Sequence, residues 1–299
     1  MTEKKIVVTG GTGFLGSALV RSLRERGDNV VVIGRGAGVG TDALWDPAVG
    51  LLDVSLLEGA DVVVNLNGAG IGDKRWTDAR KQVILESRTG PTALLSSTMA
   101  SMDNPPPLFV SGSAMGYYGN TGDTPVDESA PQGDGFLASV CAEWEAAADP
   151  ARDAGIRVVH PRTGIVLDRR SDALKPLVPL FKMGVGGPIG GGGQWWSWIT
   201  LADTVAAFER CIDAELAGPV NLVAPNPVTN REFAKALGAQ LGRPSFFPAP
   251  KFAVDIRLGK ELASTMAYGS LRVLPTVLEA DGFTFSAPTI EEALADVFA

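Results

Sequence analysis

The segment that most constrains this chain is a short apolar run leading directly into three spaced glycines. Lys5 to Thr9 (KIVVT) is short and β-branched, and it reads as a buried strand. Thr9 to Gly16 reads TGGTGFLG, with glycines at 10, 13 and 16. Phe14 to Arg26 then reads as a helix with an apolar stripe of Leu15, Leu19, Val20 and Leu23, stopped by Gly27. In a strand–loop–helix each of these glycines has a use: a tight turn, close approach of backbone to a pyrophosphate, and close packing of helix on strand. Amides at the helix start, with its partial positive charge, then hold phosphates. The alternative is an ordinary tight turn, and the flanking strand and helix weigh against it.

The alternation continues along the chain. Asn29–Ile33, Ala60–Leu66, Leu108–Ser111 and Arg157–His160 read as strands, with helices over Arg80–Met102 and Leu137–Ala154. This predicts an α/β fold, a doubly wound parallel sheet covered on both faces. After Gly164 the rhythm changes. Leu174–Met183 suits a helix, Gly184–Gly193 (GVGGPIGGGG) suits no regular structure, Leu201–Ala214 suits a helix and Pro219–Val223 a strand. Thr229-Asn230-Arg231-Glu232 is a capping box opening a helix through Leu241. Residues 1–217 are expected to form a dinucleotide-binding domain, with an excursion near 168–200 toward the ligand cleft. Residues 218–299 would form a smaller α+β substrate domain. The glycine run and Trp195, Trp196 and Trp198 have two readings: an aromatic rim over the cleft, or a turn packing the two units together.

Scarcity excludes several chemistries. The single histidine, His160, rules out a multi-histidine metal site, and no metal is expected. It ends an apolar strand and reads as a structural imidazole. Cys141 and Cys211 are too few for a disulfide framework, and reduced core thiols in a cytoplasmic setting are expected. With 26 basic and 34 acidic residues the net charge is −8, and without a basic patch nucleic-acid binding is not expected. No run of about 18 apolar residues occurs, and no signal-peptide core, so neither a membrane span nor export is expected.

The end of the second strand bears on cofactor choice. An NAD site places an acid there to accept the ribose hydroxyl. Here Gly34-Arg35 follows, and no carboxylate appears until Asp42. Arginine pairs with a 2′-phosphate, so NADP(H) is favoured over NAD. The plain alternative is a solvated loop cation.

TGGTGFLG, Asn65-Leu66-Asn67-Gly68-Ala69-Gly70, and Ser111-Gly112-Ser113 before Tyr117-Tyr118-Gly119 together resemble the extended short-chain dehydrogenase/reductase superfamily. More closely, the chain resembles its atypical NAD-dependent epimerase/dehydratase branch, which is sugar-nucleotide-epimerase-like with a small C-terminal domain. Arg75-Trp76, Ser87-Arg88, FLASVCAEWE (136–145), RTGIVL (162–167), GVGGPIGGGGQWWSWI (184–199) and NLVAPNPVTNREF (221–233) carry that finer match. The resemblance implies a Rossmann fold in which Gly10, Gly13, Phe14, Leu15 and Gly16 cradle the pyrophosphate. It implies that Gly34 and Arg35 meet the 2′-phosphate, and that Leu66, Asn67 and Gly68 pass under the adenine ribose. Arg88 would lie near the cofactor, Pro161 and Arg162 would flank the nicotinamide, and Ser113 would be the catalytic serine that hydrogen-bonds the reacting oxygen.

The superfamily's acid/base is a Tyr-x-x-x-Lys pair on a helix, with the lysine charge lowering the tyrosine pKa. The chain has three tyrosines, and four residues after Tyr117, Tyr118 and Tyr268 stand Thr121, Gly122 and Arg272. Aligning the helix on Glu145 puts Leu137 at the tyrosine position and Cys141 at the lysine position. The usual pair is absent. Tyr117 is the first candidate substitute, with Tyr118, Glu128 and Glu145 also open, although each reads more readily as a structural group, a buried tyrosine satisfied by one hydrogen bond or a helix-surface glutamate. The expected function is therefore NADP(H)-dependent oxidoreductase or epimerase-type chemistry on a small, sugar-like substrate with a non-standard acid/base. The alternative is a non-catalytic NADP(H)-binding redox sensor or scaffold.

Overall fold

The computed structural model describes residues 3–299. Strand β1 (Lys5–Thr9) leads through the glycines into α1 (Phe14–Glu25), β2 (Asn29–Gly34), a short β3 (Ala43–Leu44), β4 (Val62–Asn65) and α2 (Asp78–Ala100). β5 (Leu108–Ser111), β6 (Ser113–Ala114) and β7 (Pro125–Val126) precede α3 (Phe136–Ala146), α4 (Asp149–Asp153) and β8 (Arg157–Thr163). Next come β9 (Ile165–Leu167), α5 (Leu177–Lys182), β10 (Trp195–Trp196), β11 (Trp198–Thr200), α6 (Leu201–Asp213) and β12 (Gly218–Leu222). The chain ends with β13 (Val228–Thr229), α7 (Asn230–Gln240), α8 (Lys251–Leu258), α9 (Lys260–Leu262), β14 (Arg272–Val273), α10 (Thr276–Ala280) and α11 (Ile290–Phe298).

The main sheet runs β12-β8-β5-β4-β1-β2-β3, and every pairing in it is parallel. The central strands read as unbroken apolar runs because both faces are covered. Ile6 and Val8 face the cluster built with Leu19, Leu23 and Phe208, whereas Val7 faces the one built with Leu95, Met99 and Ala151. Strand order reverses where β1 lies between β4 and β2, which opens a crevice at the carboxyl ends of the strands. No helix among the described residues is long and apolar enough to cross a membrane.

Three expectations change. The helix expected over 137–154 is two, α3 and α4, because Pro150 has no N–H to continue the ladder and suits a helix start instead. The boundary expected at 217/218 cuts the main sheet, since β12 pairs with β8 as its outer strand. The excursion after Gly164 joins the C-terminal segments: β9 pairs with β11, and β10 with β13. Trp196 and Trp198 are buried there with Phe233, Leu237, Ile290 and Leu294, so these two tryptophans pack a second core rather than rim a cleft. The capping box at Thr229 and Glu232 forms as expected, and a second at Thr289 and Glu292 starts α11.

Candidate active site

The phosphate loop is glycine-tight. Gly10 has φ +75°, and a Cβ there would stand 2.6 Å from the Leu66 carbonyl carbon and oxygen. A Cβ on Gly16 would stand 2.2 Å from the Gly10 oxygen, so α1 sits directly on the loop. Gly13 is the N-cap of α1, and no side chain caps its amides. Phe14 is exposed at the helix start and has the Arg170 guanidinium 5.8 Å from its ring, whereas Leu15 packs on the core. These backbone features fit a pyrophosphate.

At the end of β2, a Cβ on Gly34 would press on Thr41, and Arg35 is exposed. Asp42, the first carboxylate after it, accepts from Arg24 Nη2 and from the Val32 amide, both at 2.8 Å, so its charge is answered locally. A cleft of about 520 Å³ opens beside this loop, bordered by Thr12, Ser17, Arg21, Arg24 and Val39.

The turn after β4 is fixed by the first residue of the motif at 65–70, to which the sequence reading gave no role. Asn65, fully buried, accepts at Oδ1 from Thr9 Oγ1 (2.9 Å) and from Asn67 Nδ2 (2.7 Å), and donates to Thr92 Oγ1 at 2.7 Å. Its sequence signals were that motif and a polar residue closing the apolar run VVVN. Arg88 reaches this turn from α2. A Cβ on Gly68 would lie 3.0 Å from its Cζ. Arg88 is 8 % exposed and burial lowers its pKa.

The polar centre lies one strand further. Ser113 on β6 and Arg162 on β8 are register partners, and α3 lays Glu145 over both. Ser113 Oγ donates to Glu145 Oε1 at 2.6 Å. Arg162 holds the same carboxylate with two hydrogen bonds of 2.8 Å and donates Nη1 to the Tyr118 hydroxyl at 2.9 Å. Tyr118 in turn donates to Asn221 Oδ1 at 2.7 Å. Burial opposes the Arg162 charge, but Glu145 and Tyr118 outweigh it and its pKa rises. Burial pushes the Tyr118 phenol up to about 12, although Arg162 pulls the other way.

These contacts sort the candidates. Arg162, expected beside the nicotinamide, has its side chain held by Glu145 and Tyr118, because its strand register points it at them; Pro161 is buried within the same strand. The Arg162 Cζ also lies 3.5 Å from the centre of the Tyr117 ring, and the Tyr117 hydroxyl has no hydrogen-bond partner among the described residues. Glu128 serves the backbone of Asn221 and Val277. Leu137 and Cys141, aligned with the missing pair, both face Gly116 from α3: a Cβ on Gly116 would lie 3.4 Å from Leu137 Cβ and 3.7 Å from Cys141 Sγ. Burial holds the Cys141 thiol protonated, with a pKa near 12. His160 is buried, Nδ1 has no partner among the described residues, and burial lowers its pKa.

Parallel sheet, glycine-tight loop and switch-point crevice together define a Rossmann-like dinucleotide-binding fold. Residues 6–222 match the NAD dependent epimerase/dehydratase family, and residues 249–297 match a domain of unknown function, DUF1731. The chain belongs to the NAD dependent epimerase/dehydratase family. It is 41% identical to an epimerase family protein of Mycobacterium bovis over 296 residues, 98% of this chain and 97% of that one. It is 35% identical to the human epimerase family protein SDR39U1, covering 99% of this chain and 100% of that one. The crystal structure of human SDR39U1 (isoform 2) with NADPH superposes with a TM-score of 0.89 at 34% identity, covering 98% and 99% of the two chains. A nucleoside-diphosphate sugar epimerase of Corynebacterium glutamicum superposes at 0.82 with 36% identity, covering 99% of this chain and 58% of that one.

Proposed function

We propose that this chain binds NADP(H) and carries out oxidoreductase or epimerase-type chemistry on a small, sugar-like alcohol or carbonyl. Three things support the cofactor: the glycine-tight loop, Arg35 in place of an acid, and the NADPH of the human relative's structure. Gly10, Gly13, Phe14, Leu15 and Gly16 would hold the pyrophosphate, Gly34 and Arg35 the 2′-phosphate, and Leu66, Asn67 and Gly68 the adjoining ribose. Bound there, the cofactor supplies or accepts hydride.

The observation that carries the chemistry is the 2.6 Å hydrogen bond from Ser113 to Glu145. A serine that donates to a carboxylate offers its lone pairs to a substrate hydroxyl. The substrate proton passes to Ser113 as the Ser113 proton passes to Glu145, and the reverse transfer protonates a carbonyl oxygen. Arg162 fixes Glu145 through both carboxylate oxygens. Tyr117, stacked on that guanidinium, forms the adjoining wall and is the second group within the site able to move a proton.

The test begins with fluorescence titration by NADPH and NADH, followed by a screen of carbonyls and nucleotide sugars for cofactor oxidation. NADPH should bind in preference, and Arg35→Ser should remove that preference. Ser113→Ala and Glu145→Gln should lower turnover about 10²–10⁴-fold with NADPH binding retained. Equal turnover in Ser113→Ala sinks the serine role, and tight NADH binding without preference sinks the Arg35 argument. Binding without turnover across the panel supports the second reading, a redox sensor or scaffold, which Leu137 and Cys141 favour by carrying no proton-transfer pair.

A further inference from the structure

Two segments far apart in sequence run side by side and expose one apolar, cationic strip. Arg243 Nε donates to the Lys182 carbonyl at 3.0 Å, and the Ala249 amide donates to the Pro188 carbonyl at 2.8 Å. Ile189 and Ala249 form a parallel bridge, and a Cβ on Gly190 would meet the Lys251 side chain at 3.1 Å. Residues 182–190 thus lie along 243–251, and α8 continues the strip. On it Met183, Val185, Phe246, Phe247, Phe252 and Ile256 are each more than half exposed. Phe252 and Ile256 stand four apart on α8 and share a face, and the Phe246 and Phe247 rings are 4.4 Å apart. Exposed apolar residues scattered singly need no explanation, but a contiguous set marks an interaction surface.

The charge on the strip is opposite in sign to that of the chain. Segments 182–190 and 243–260 carry five cations, Lys182, Arg243, Lys251, Arg257 and Lys260, against one acid, Asp255. That is +4 within a chain of −8, so the remainder carries −12. Asp255 is turned to Tyr268, whose hydroxyl donates to it at 2.9 Å. None of the five cations has a carboxylate partner among the described residues. Every residue described as exposed in the two segments is a cation, a proline or an apolar side chain. The strip therefore offers apolar bulk and point charge with little directional hydrogen bonding. A second copy in a two-fold contact would set +4 against +4, which opposes association. An anionic bilayer suits both features: apolar side chains enter the headgroup boundary while lysine and arginine stay with the phosphates.

We propose that this strip docks the protein on an anionic lipid surface, with α8 lying in the interface plane. The docking is independent of the cofactor reading. The same membrane repels the acidic remainder of the chain, which fixes the orientation. The docked face also adjoins the crevice. Arg75, on the loop after β4, donates to the Ile256 carbonyl, and Lys81 at the start of α2 pairs with Glu261 at 2.5 Å.

The test is flotation of the full chain with vesicles of phosphatidylcholine alone, or with about 30% phosphatidylserine added. The chain should float with the anionic vesicles only, and salt of about 1 M, which shortens the screening length to roughly 3 Å, should release it. Replacing Lys182, Arg257 and Lys260 by glutamine should lower partitioning about 10²-fold, at about fivefold for each cation near the surface. Phe247→Ser with Phe252→Ser should lower it by about 10-fold or more and leave the salt dependence in place. Both variants should melt at the wild-type temperature, because the side chains changed are exposed. No flotation with anionic vesicles, equal flotation with neutral ones, or wild-type partitioning by either variant overturns the proposal. Binding to poly-glutamate or single-stranded DNA that needs the same two phenylalanines assigns the strip to an acidic protein or a nucleic acid, and overturns it too. So does a dimer in sedimentation that the phenylalanine variant dissociates.

Discussion

Gly16→Ala sets two well-calibrated effects against each other. Gly16 lies in the first turn of α1, and a helical Gly→Ala replacement ordinarily gains about 1 kcal/mol from backbone entropy. Here the new methyl carbon would stand 2.2 Å from the Gly10 oxygen, 2.8 Å from Gly11 Cα and 2.9 Å from the Gly10 carbonyl carbon. All three are backbone atoms, so no rotamer change relieves the contact, and overpacking of this kind costs about 1–3 kcal/mol or more. The clash should win, with a net loss of roughly 1–2 kcal/mol and a melting temperature lower by about 2–8 °C. Relief requires Gly10 and Gly11 to move, and these line the phosphate loop, so NADPH-induced stabilisation should fall as well. Gly13→Ala is the graded control: its Cβ would meet the Gly10 oxygen at 3.3 Å, which a shift of a few tenths of an ångström relieves. Thermal melts of the three proteins, with and without NADPH, read both effects. A Gly16→Ala protein as stable as wild type, with undiminished response to NADPH, would refute the close-approach argument.

Other contacts give further expectations. Arg162→Met leaves the half-buried Glu145 without its ion pair and should cost about 2–4 kcal/mol in urea unfolding, whereas Arg162→Met with Glu145→Leu should recover much of it. Thr92 Oγ1 accepts from Asn65 Nδ2 and from Trp144 Nε1 at 2.7 and 3.0 Å, so Thr92→Val strands two buried donors and should cost about 1–3 kcal/mol for each. Tyr118 and Tyr268 both have folded pKa values of about 12, above the ordinary 10.0. Between those values the unfolded chain releases protons that the folded one keeps. Stability should therefore be flat just below pH 10 with respect to these groups and decline as pH rises toward 12, and Tyr118→Phe should flatten that decline.

The parts of the fold legible in sequence were those where local chemistry and burial agree. KIVVT, NVVVI and LFVS are buried on both faces, so their apolar runs mark strands almost to the residue. The phosphate loop was legible because only glycine tolerates 2.2 and 2.6 Å approaches to backbone. The short pairings β9–β11 and β10–β13 were not legible, because two- and three-residue strands carry no periodicity and depend on partners 32 to 34 residues apart. Arg162 illustrates a different limit. Its hold on Glu145 was not legible, because which way its side chain turns depends on its register with Ser113 and on the placement of α3.

The absence of the tyrosine and lysine from α3 has a structural counterpart elsewhere. Leu137 is the residue aligned with the tyrosine, and the Ser113 hydroxyl is tied to Glu145 of the same helix. Cys141, a buried thiol, is the residue aligned with the lysine, and the positive charge beside the Glu145 carboxylate comes from another element, Arg162 on β8. Arg162 is paired inside the protein through both carboxylate oxygens, so its removal should be felt as lost stability. We read the centre as one organised around a carboxylate because the same Glu145 that Arg162 fixes also accepts the Ser113 hydroxyl, and a test that separates the two effects is Glu145→Gln, which keeps the shape of the side chain and removes its charge.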